Sequence, residues 1–465
     1  MNSLFTFLLF IATAYTAIAQ GIVGDWQGVL KVQGTSLTLV FHIDEAEGGY
    51  KGSMDSPDQG ALDIPVPFVS LEQNKLVMKI PTALIQYDGV MSGTGLIEGT
   101  FTQSGQSFPL NLSKKIILKE GKKYQEPGLP LGYTEEEVLF QNLEADINLS
   151  GTLTLPMGED KYPAAILITG SGPQNRNEEI AGHKPFLVLA DHLAKNGIAV
   201  LRFDDRGVGK SEGDFQGAST LDFATDVEAA LSFMRTRHEI NQNKIGLIGH
   251  SEGGVIAPMV ASEDTDVRFI VLLAGTGISG KEVLLSQSKK AGELSELSDE
   301  ERIIMNNLYA EVYNLIAASE RVEPLKKMLI DYFERKWPDI PTTMRSGMEK
   351  ANYVRWQVDQ LATPWMHFFI TYAPATALQK VSCPVLALNG EMDWQVPHEV
   401  NLKAIEKALH KGGNQQATIK SLPGLNHLFQ ESKTGSPLEY AQLEQTFSPI
   451  ALQAVSSWLK ELLAD

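Results

Sequence analysis

The sequence predicts an α/β protein: a mostly parallel, two-sided sheet with a helical insertion, preceded by a small all-β domain. Three observations carry this. Residues 20–120 are rich in Gly, Thr, Val and Ser, and short runs there alternate apolar and polar side chains, as in Ser36-Leu37-Thr38-Leu39-Val40-Phe41-His42-Ile43. Beyond a polar linker at 121–134, apolar strands recur with amphipathic helices between them. That alternation breaks over about residues 280–380, where helical periodicity continues without a strand. Alternating strands at turn-bounded spacing suggest an antiparallel sandwich or barrel, and strand–helix alternation implies βαβ units.

Taken in order, the first element is the apolar stretch Leu4 to Ala19, ending Ala17-Ile18-Ala19. It reads as a secretory signal cleaved near Ala19, which makes the protein exported, periplasmic or secreted, and free of the membrane after cleavage. A single cysteine, Cys383, excludes an intramolecular disulfide framework and a cysteine-based zinc cluster, and no metal is expected. The net charge of −18 argues against nucleic acid as a partner. In the β-domain, Gly24-Asp25-Trp26-Gln27-Gly28 resembles the opening strand of lipocalin-like barrels, and Trp26 is read as a core plug.

In the α/β part, Glu137–Gln141 and Gly151–Leu155 read as leading antiparallel strands. Ala164–Thr169, Ile198–Phe203, Lys244–Ile248, Phe269–Ala274 and Val385–Asn389 follow as sheet strands. The helical insertion therefore falls between the sixth and seventh strands. Three glycine motifs compete for function. Gly249-His250-Ser251-Glu252-Gly253 and Gly209-Lys210-Ser211-Glu212-Gly213 both fit G-x-S-x-G. Only the first follows a strand and leads straight into a helical pattern, as a nucleophile elbow requires, so Ser251 is the candidate nucleophile. Gly207-Val208-Gly209-Lys210-Ser211 lacks the first glycine of a phosphate-binding loop, since Asp204 stands there. Gly275-Thr276-Gly277-Ile278-Ser279-Gly280 is a full G-x-G-x-x-G, and it keeps an NAD-binding oxidoreductase as a remote alternative. No second strand arrives within a βαβ length, so a glycine hinge into the insertion is preferred and no cofactor is expected.

A serine hydroxyl needs a base in reach and a third group to orient that base. Of the nine histidines, His427 follows the last apparent strand, Ala417–Leu422, on what reads as a mobile loop at the carboxyl edge of the sheet. The acid should follow a strand between Ser251 and His427; Asp393 does, with Glu391 as fallback. His250 lies beside Ser251 and cannot fold back onto its hydroxyl.

With these segments in place, residues from about 135 to 465 resemble an α/β-hydrolase with a helical cap. The motifs are Gly-His-Ser-Glu-Gly-Gly at 249–254, Asn-Gly-Glu-Met-Asp-Trp-Gln-Val-Pro at 389–397 and Leu-Asn-His-Leu-Phe at 425–429. The set is similar to exported bacterial carboxylesterases with a small N-terminal β-domain and to the related serine aminopeptidases. Asp204–Ser211 matches the family's loop after the fourth strand. Such esterases often carry His-Gly-Ser-Gly-Pro after the third strand; here Thr169 replaces the His. The resemblance implies cleavage of carboxylic esters through an acyl-enzyme on Ser251, with His427 and Asp393 completing the triad. It places the oxyanion on the amides of Glu252 and of Ser171 or Gly172. The cap would roof a small-molecule pocket with Trp365 and Phe368. A serine peptidase or aminopeptidase taking short peptides is the alternative on the same scaffold, and a binding protein on a degenerate hydrolase fold is the reading from another class.

Overall fold

The computed structural model describes residues 22–464 except 33–34, 47–48, 57–60, 84, 93–94, 104–105, 115–122, 159–160, 295–296 and 346–348. The expected signal stretch, and part of the expected linker, lie outside the described residues. The chain forms two compact units, one up to residue 118 (without 57–60) and one from residue 119 onward.

In the first unit nine strands pair antiparallel: β1 (Gly24–Val32), β2 (Thr35–Ala46), β3 (Gly49–Ser56), β4 (Ala61–Glu72), β5 (Lys75–Ile80), β6 (Ile85–Ser92), β7 (Leu96–Gln103), β8 (Gln106–Pro109) and β9 (Leu112–Ser113). The order β6-β5-β4-β3-β2-β1-β9-β7 closes because β7 also pairs with β6, and β8 hangs on β7. The result is a closed eight-strand barrel. Its interior is filled by Trp26, Phe41, Ile43, Leu76, Tyr87, Ile97 and Phe101, all nearly fully buried. An eight-strand ring is just wide enough for side chains to fill it. Trp26 is the core plug that its position implied, with Nε1 donating to the Ile22 carbonyl at 2.6 Å. Gly89 and Gly99 face each other across β6 and β7 because the Tyr87 ring occupies the space beside them.

The second unit is an eight-strand sheet. Its strands are β10 (Tyr133–Asn142), β11 (Ile147–Pro156), β12 (Tyr162–Ile168), β13 (Ala199–Phe203), β14 (Ile240–His250), β15 (Ile270–Leu273), β16 (Val385–Gly390) and β17 (Ala417–Leu422), in the order β10-β11-β13-β12-β14-β15-β16-β17. The expected linker thus gives way to strand at Tyr133. The pairs β10–β11 and β11–β13 are antiparallel and the rest are parallel. Strand side chains alternate between two cores. Ala164, Ile166 and Ile168 of β12 pack with α2 (Thr220–Thr236), α3 (Gly253–Glu263) and α10 (His398–Lys411). Ala165 and Leu167 pack with α1 (Pro185–Lys195) and α11 (Pro449–Leu463). Burial on both faces is why these strands read as continuous apolar runs. The insertion between β15 and β16 holds α4 (Gly280–Leu294), α5 (Asp299–Ala318), α6 (Val322–Lys336), α7 (Lys350–Leu361), α8 (Pro364–Thr371) and α9 (Ala375–Leu378). No helix among the described residues is long and apolar enough to cross a membrane.

The glycines of Gly275–Gly280 each mark a close backbone approach. A Cβ on Gly275 would meet Gly254 at 3.2 Å, one on Gly277 the Asn401 carbonyl at 2.4 Å, and one on Gly280 the Phe369 carbonyl at 2.1 Å. The motif is therefore a packing hinge into the cap, with the next sheet strand only at Val385. Gly254→Ala would put a Cβ 2.6 Å from the Gly275 Cα, a backbone atom that cannot swing away. This variant is expected to lose about 1–3 kcal/mol of stability by strain, read as a lower midpoint of urea unfolding; an unchanged midpoint would show that the corner tolerates the methyl.

Candidate active site

The corner between β14 and α3 is built from backbone contacts. A Cβ on Gly249 would lie 1.9 Å from the Gly253 carbonyl, and one on Gly253 would lie 2.2 Å from the Ile168 carbonyl. Ser251 between them has φ +52°, the left-handed region, a conformation that costs a non-glycine residue about 1–3 kcal/mol. Its amide donates to the Leu273 carbonyl at 2.8 Å, and its hydroxyl has no hydrogen-bond partner among the described residues. Ser211, in the competing motif, is buried. Its Oγ donates to the Asp204 carbonyl at 2.7 Å and accepts the Ser150 amide at 2.9 Å. It braces the loop after β13 against β11.

His427 Nδ1 pairs with Asp393 Oδ2 at 2.7 Å, and Asp393 is almost wholly buried. The other Asp393 oxygen accepts the amides of Gln395 and Val396, both at 2.9 Å. A carboxylate so saturated holds the imidazole in one orientation and leaves Nε2 as its free edge. Glu391, the fallback acid, instead accepts from Ser421 at the surface. The loop carrying His427, which reads as a mobile surface segment in the sequence, is folded inward. Asn426 and Gln430 are fully buried, Asn426 Oδ1 accepts the amides of Leu428 and Gln430, and Asn426 Nδ2 donates to Gln430 Oε1. Polar residues folded inward onto their own backbone looked like a solvent loop.

The loop after β12 abuts the corner, since a Cβ on Gly170 would lie 3.2 Å from the Ser251 Cβ. Asp205 clamps it, accepting the Thr169 hydroxyl at 2.7 Å and the Gln174 amide at 2.9 Å. Arg176 anchors its far side to Asp204 and Glu137. Gly172 has φ +99°. The amides of Glu252, Ser171 and Gly172 donate to no acceptor among the described residues. The Gly170 amide, by contrast, donates to Glu178 Oε1 at 2.7 Å.

Sequence reasoning missed three side chains here. Glu178, 1% exposed, also meets His250 Nδ1 at 2.8 Å, and His250 Nε2 meets the His427 carbonyl at 2.9 Å. Burial alone would lower the pKa of His250; the Glu178 carboxylate outweighs it and holds the ring above the usual value. The third is the side chain of Glu252, singled out only for its amide. Oε1 accepts from Thr220 at 2.7 Å and from Trp365 Nε1 at 2.8 Å, and burial pushes the carboxyl up to about 7. Trp365, half-buried on α8, stacks on Phe369, and Phe368 stacks on Tyr372. Among the described residues no cluster of three or more His, Cys, Asp or Glu is arranged to hold a metal ion.

Residues 184–433 match the family described as serine aminopeptidase, S33. The chain belongs to this family, on an α/β-hydrolase fold. Esterase EstD of Thermotoga maritima is 25% identical over 308 residues, which cover 65% of this chain and 63% of that one. An acyl transferase of Photobacterium leiognathi is 29% identical over 197 residues, 42% of this chain and 55% of its own. This chain therefore spans less than two-thirds of the length of either relative. The structure of ferulic acid bound to Est1E from Butyrivibrio proteoclasticus aligns with 70% of this chain and all of its own, at 19% identity and a TM-score of 0.41.

The raised Glu252 pKa has a sign that can be tested. Folded protein retains a proton that the unfolded chain releases above the ordinary 4.5. Its contribution to stability is full below pH 4.5 and is lost as the pH rises through about 7. Relative to Glu252→Gln, whose amide oxygen still accepts from Thr220 and Trp365, the wild type is expected to lose stability between pH 4.5 and pH 8. Denaturant midpoints measured across that range check it, and a constant difference would place the carboxyl's titration elsewhere.

Proposed function

We propose that the protein is a serine hydrolase that cleaves carboxylic esters of small molecules through an acyl-enzyme on Ser251. The carrying observation is the Asp393–His427 pair held against the strained elbow, where His250, the residue before Ser251, meets the His427 carbonyl at 2.9 Å. As Ser251 Oγ bonds to the ester carbonyl carbon, its proton passes to His427 Nε2, and Asp393 stabilises the imidazolium. The carbonyl oxygen becomes an oxyanion facing the amides of Glu252 and of Ser171 or Gly172, each worth roughly 3–4 kcal/mol in the transition state. Collapse breaks the ester C–O bond, and His427 returns the proton to the departing alcohol. Water then repeats the sequence on the acyl-enzyme and releases the acid.

The family description favours a second reading, an aminopeptidase. A substrate ammonium needs a free carboxylate, and the four acids around the elbow are engaged. Glu252 serves Thr220 and Trp365, Asp205 serves Thr169 and Gln174, Glu178 serves Gly170 and His250, and Asp393 serves His427. An ester substrate carries no ammonium and so calls for no free carboxylate, and EstD carries the name esterase. Trp365 and Phe368 are proposed to face the acyl or alcohol pocket. The apolar stretch Leu4 to Ala19 supports an exported protein.

Ser251→Ala is expected to lower p-nitrophenyl ester turnover by at least about 10³-fold and to abolish covalent labelling by a fluorophosphonate. Ser211→Ala, which loses a brace and no reacting atom, should still be labelled. Label that persists in Ser251→Ala would assign the nucleophile to another residue. Aminoacyl-nitroanilides turned over faster than any p-nitrophenyl ester would make the protein a peptidase.

A further inference from the structure

We propose that Glu178 and His250 are positioning residues of this hydrolase site: a buried ion pair that sets the spacing of the oxyanion loop, the nucleophile and the base. The inference rests on the Ser251–His427 reading above. Three segments distant in sequence meet on the pair. Glu178 Oε1 accepts the Gly170 amide at 2.7 Å, in the loop that carries Ser171 and Gly172. The same oxygen meets Nδ1 of His250, the residue before Ser251, at 2.8 Å. His250 Nε2 meets the backbone carbonyl of His427 at 2.9 Å.

The partners dictate the protons. A backbone carbonyl can only accept, so Nε2 carries a hydrogen. Glu178 Oε1 already accepts the Gly170 N–H, and a carboxylate there accepts a second hydrogen from Nδ1. His250 is then an imidazolium between two acceptors, 4% exposed against a carboxylate 1% exposed. With so little water near, each charge depends on the other and the pair resists separation. Glu178 is itself held in the left-handed region at φ +51°, its amide bonded to the Asn175 carbonyl at 2.8 Å. A buried non-glycine residue in that conformation fits a requirement on where its side chain points. The His250 ring also packs against the His427 ring, centroids 4.8 Å apart, so the pair sets both the backbone and the ring of the base.

The test compares Glu178→Gln, His250→Gln and the double variant on a p-nitrophenyl ester. A displaced donor set loses transition-state contacts more than substrate binding. Each single variant is expected to lose roughly 10- to 100-fold in kcat with KM within about threefold. The double variant, which leaves no unpaired buried charge, should be no worse than the poorer single. A folded Glu178→Gln with kcat within about threefold of wild type overturns the proposal, as do losses that multiply in the double variant or a kcat loss matched by an equal rise in KM. If the variants do not fold, nitrogen NMR of ¹⁵N-histidine-labelled wild type decides. His250 should keep both ring protons at a pH where an ordinary histidine has lost one, and loss of one at or below the ordinary 6.5 overturns the pair. Fluorophosphonate labelling of the wild type separates the two readings. No label on Ser251 defeats the nucleophile assignment, whereas a labelled Ser251 with unaffected variants defeats only this inference.

Discussion

The constraint on which the site depends is the corner at Ser251, where a strand becomes a helix with almost no space for side chains. Gly249 faces the carbonyl of Gly253, Gly253 faces the end of β12, and Gly254 faces Gly275 at the end of β15. Three neighbouring strands are thereby brought to one point by backbone contact. The strain at Ser251 is small beside the apolar surface buried on both faces of the sheet, so the fold holds a conformation that Ser251 alone would leave. Because β12 touches the corner, the loop that leaves it must run past Ser251. Gly170, two residues beyond β12, is set against the Ser251 Cβ as a consequence of sheet packing.

Around this corner the chain buries charge. His250 with Glu178, Arg206 with Asp226, and Asp393 with His427 are all almost excluded from water. Desolvation takes back much of what such pairs gain, so they add little net stability. Their effect is geometric. Apolar contacts tolerate small slides, but a carboxylate oxygen accepting two hydrogens at 2.7–2.8 Å does not. The surface pair Lys380–Glu263 is the contrast: both side chains are more than half exposed, and nothing near the elbow depends on their spacing.

The parts of this architecture that were legible are those with local signatures. The elbow announced itself by strand, glycines and helix within ten residues, and the cap by the lapse of strands after β15. Other features depend on contacts that no window contains. Strand alternation in residues 20–120 is the same for a sandwich and a barrel; closure is decided by the register of β6 on β7, from Ile85–Gln103 to Ser92–Leu96. Glu178 sits in a polar run, Gln174–Glu179, that looks like solvent-facing loop, and its partner His250 is 72 positions away. His250 is adjacent to Ser251 and cannot reach its hydroxyl; its ring turns the other way and ties down the loop of His427 instead. The inward folding of Asn426 and Gln430 was equally hidden, since a buried amide side chain has no compositional mark.

Glu252 joins two functions that sequence reasoning separates. Its amide is one of the free donors at the corner, and its side chain receives Thr220 from α2 and Trp365 from the cap helix α8. A shift of α8 therefore pulls, through Trp365, on the residue that follows Ser251. Protonation of a group near 7 changes the strength of that link: the ionised carboxyl accepts more strongly from both donors, while the neutral one avoids a buried unpaired charge. Anchoring α8 on the residue after Ser251 keeps the helical insertion and the strand–helix corner in one frame. This is a reason for an acidic side chain at position 252. A glycine or alanine at 252 would keep the amide and lose the registration of the cap.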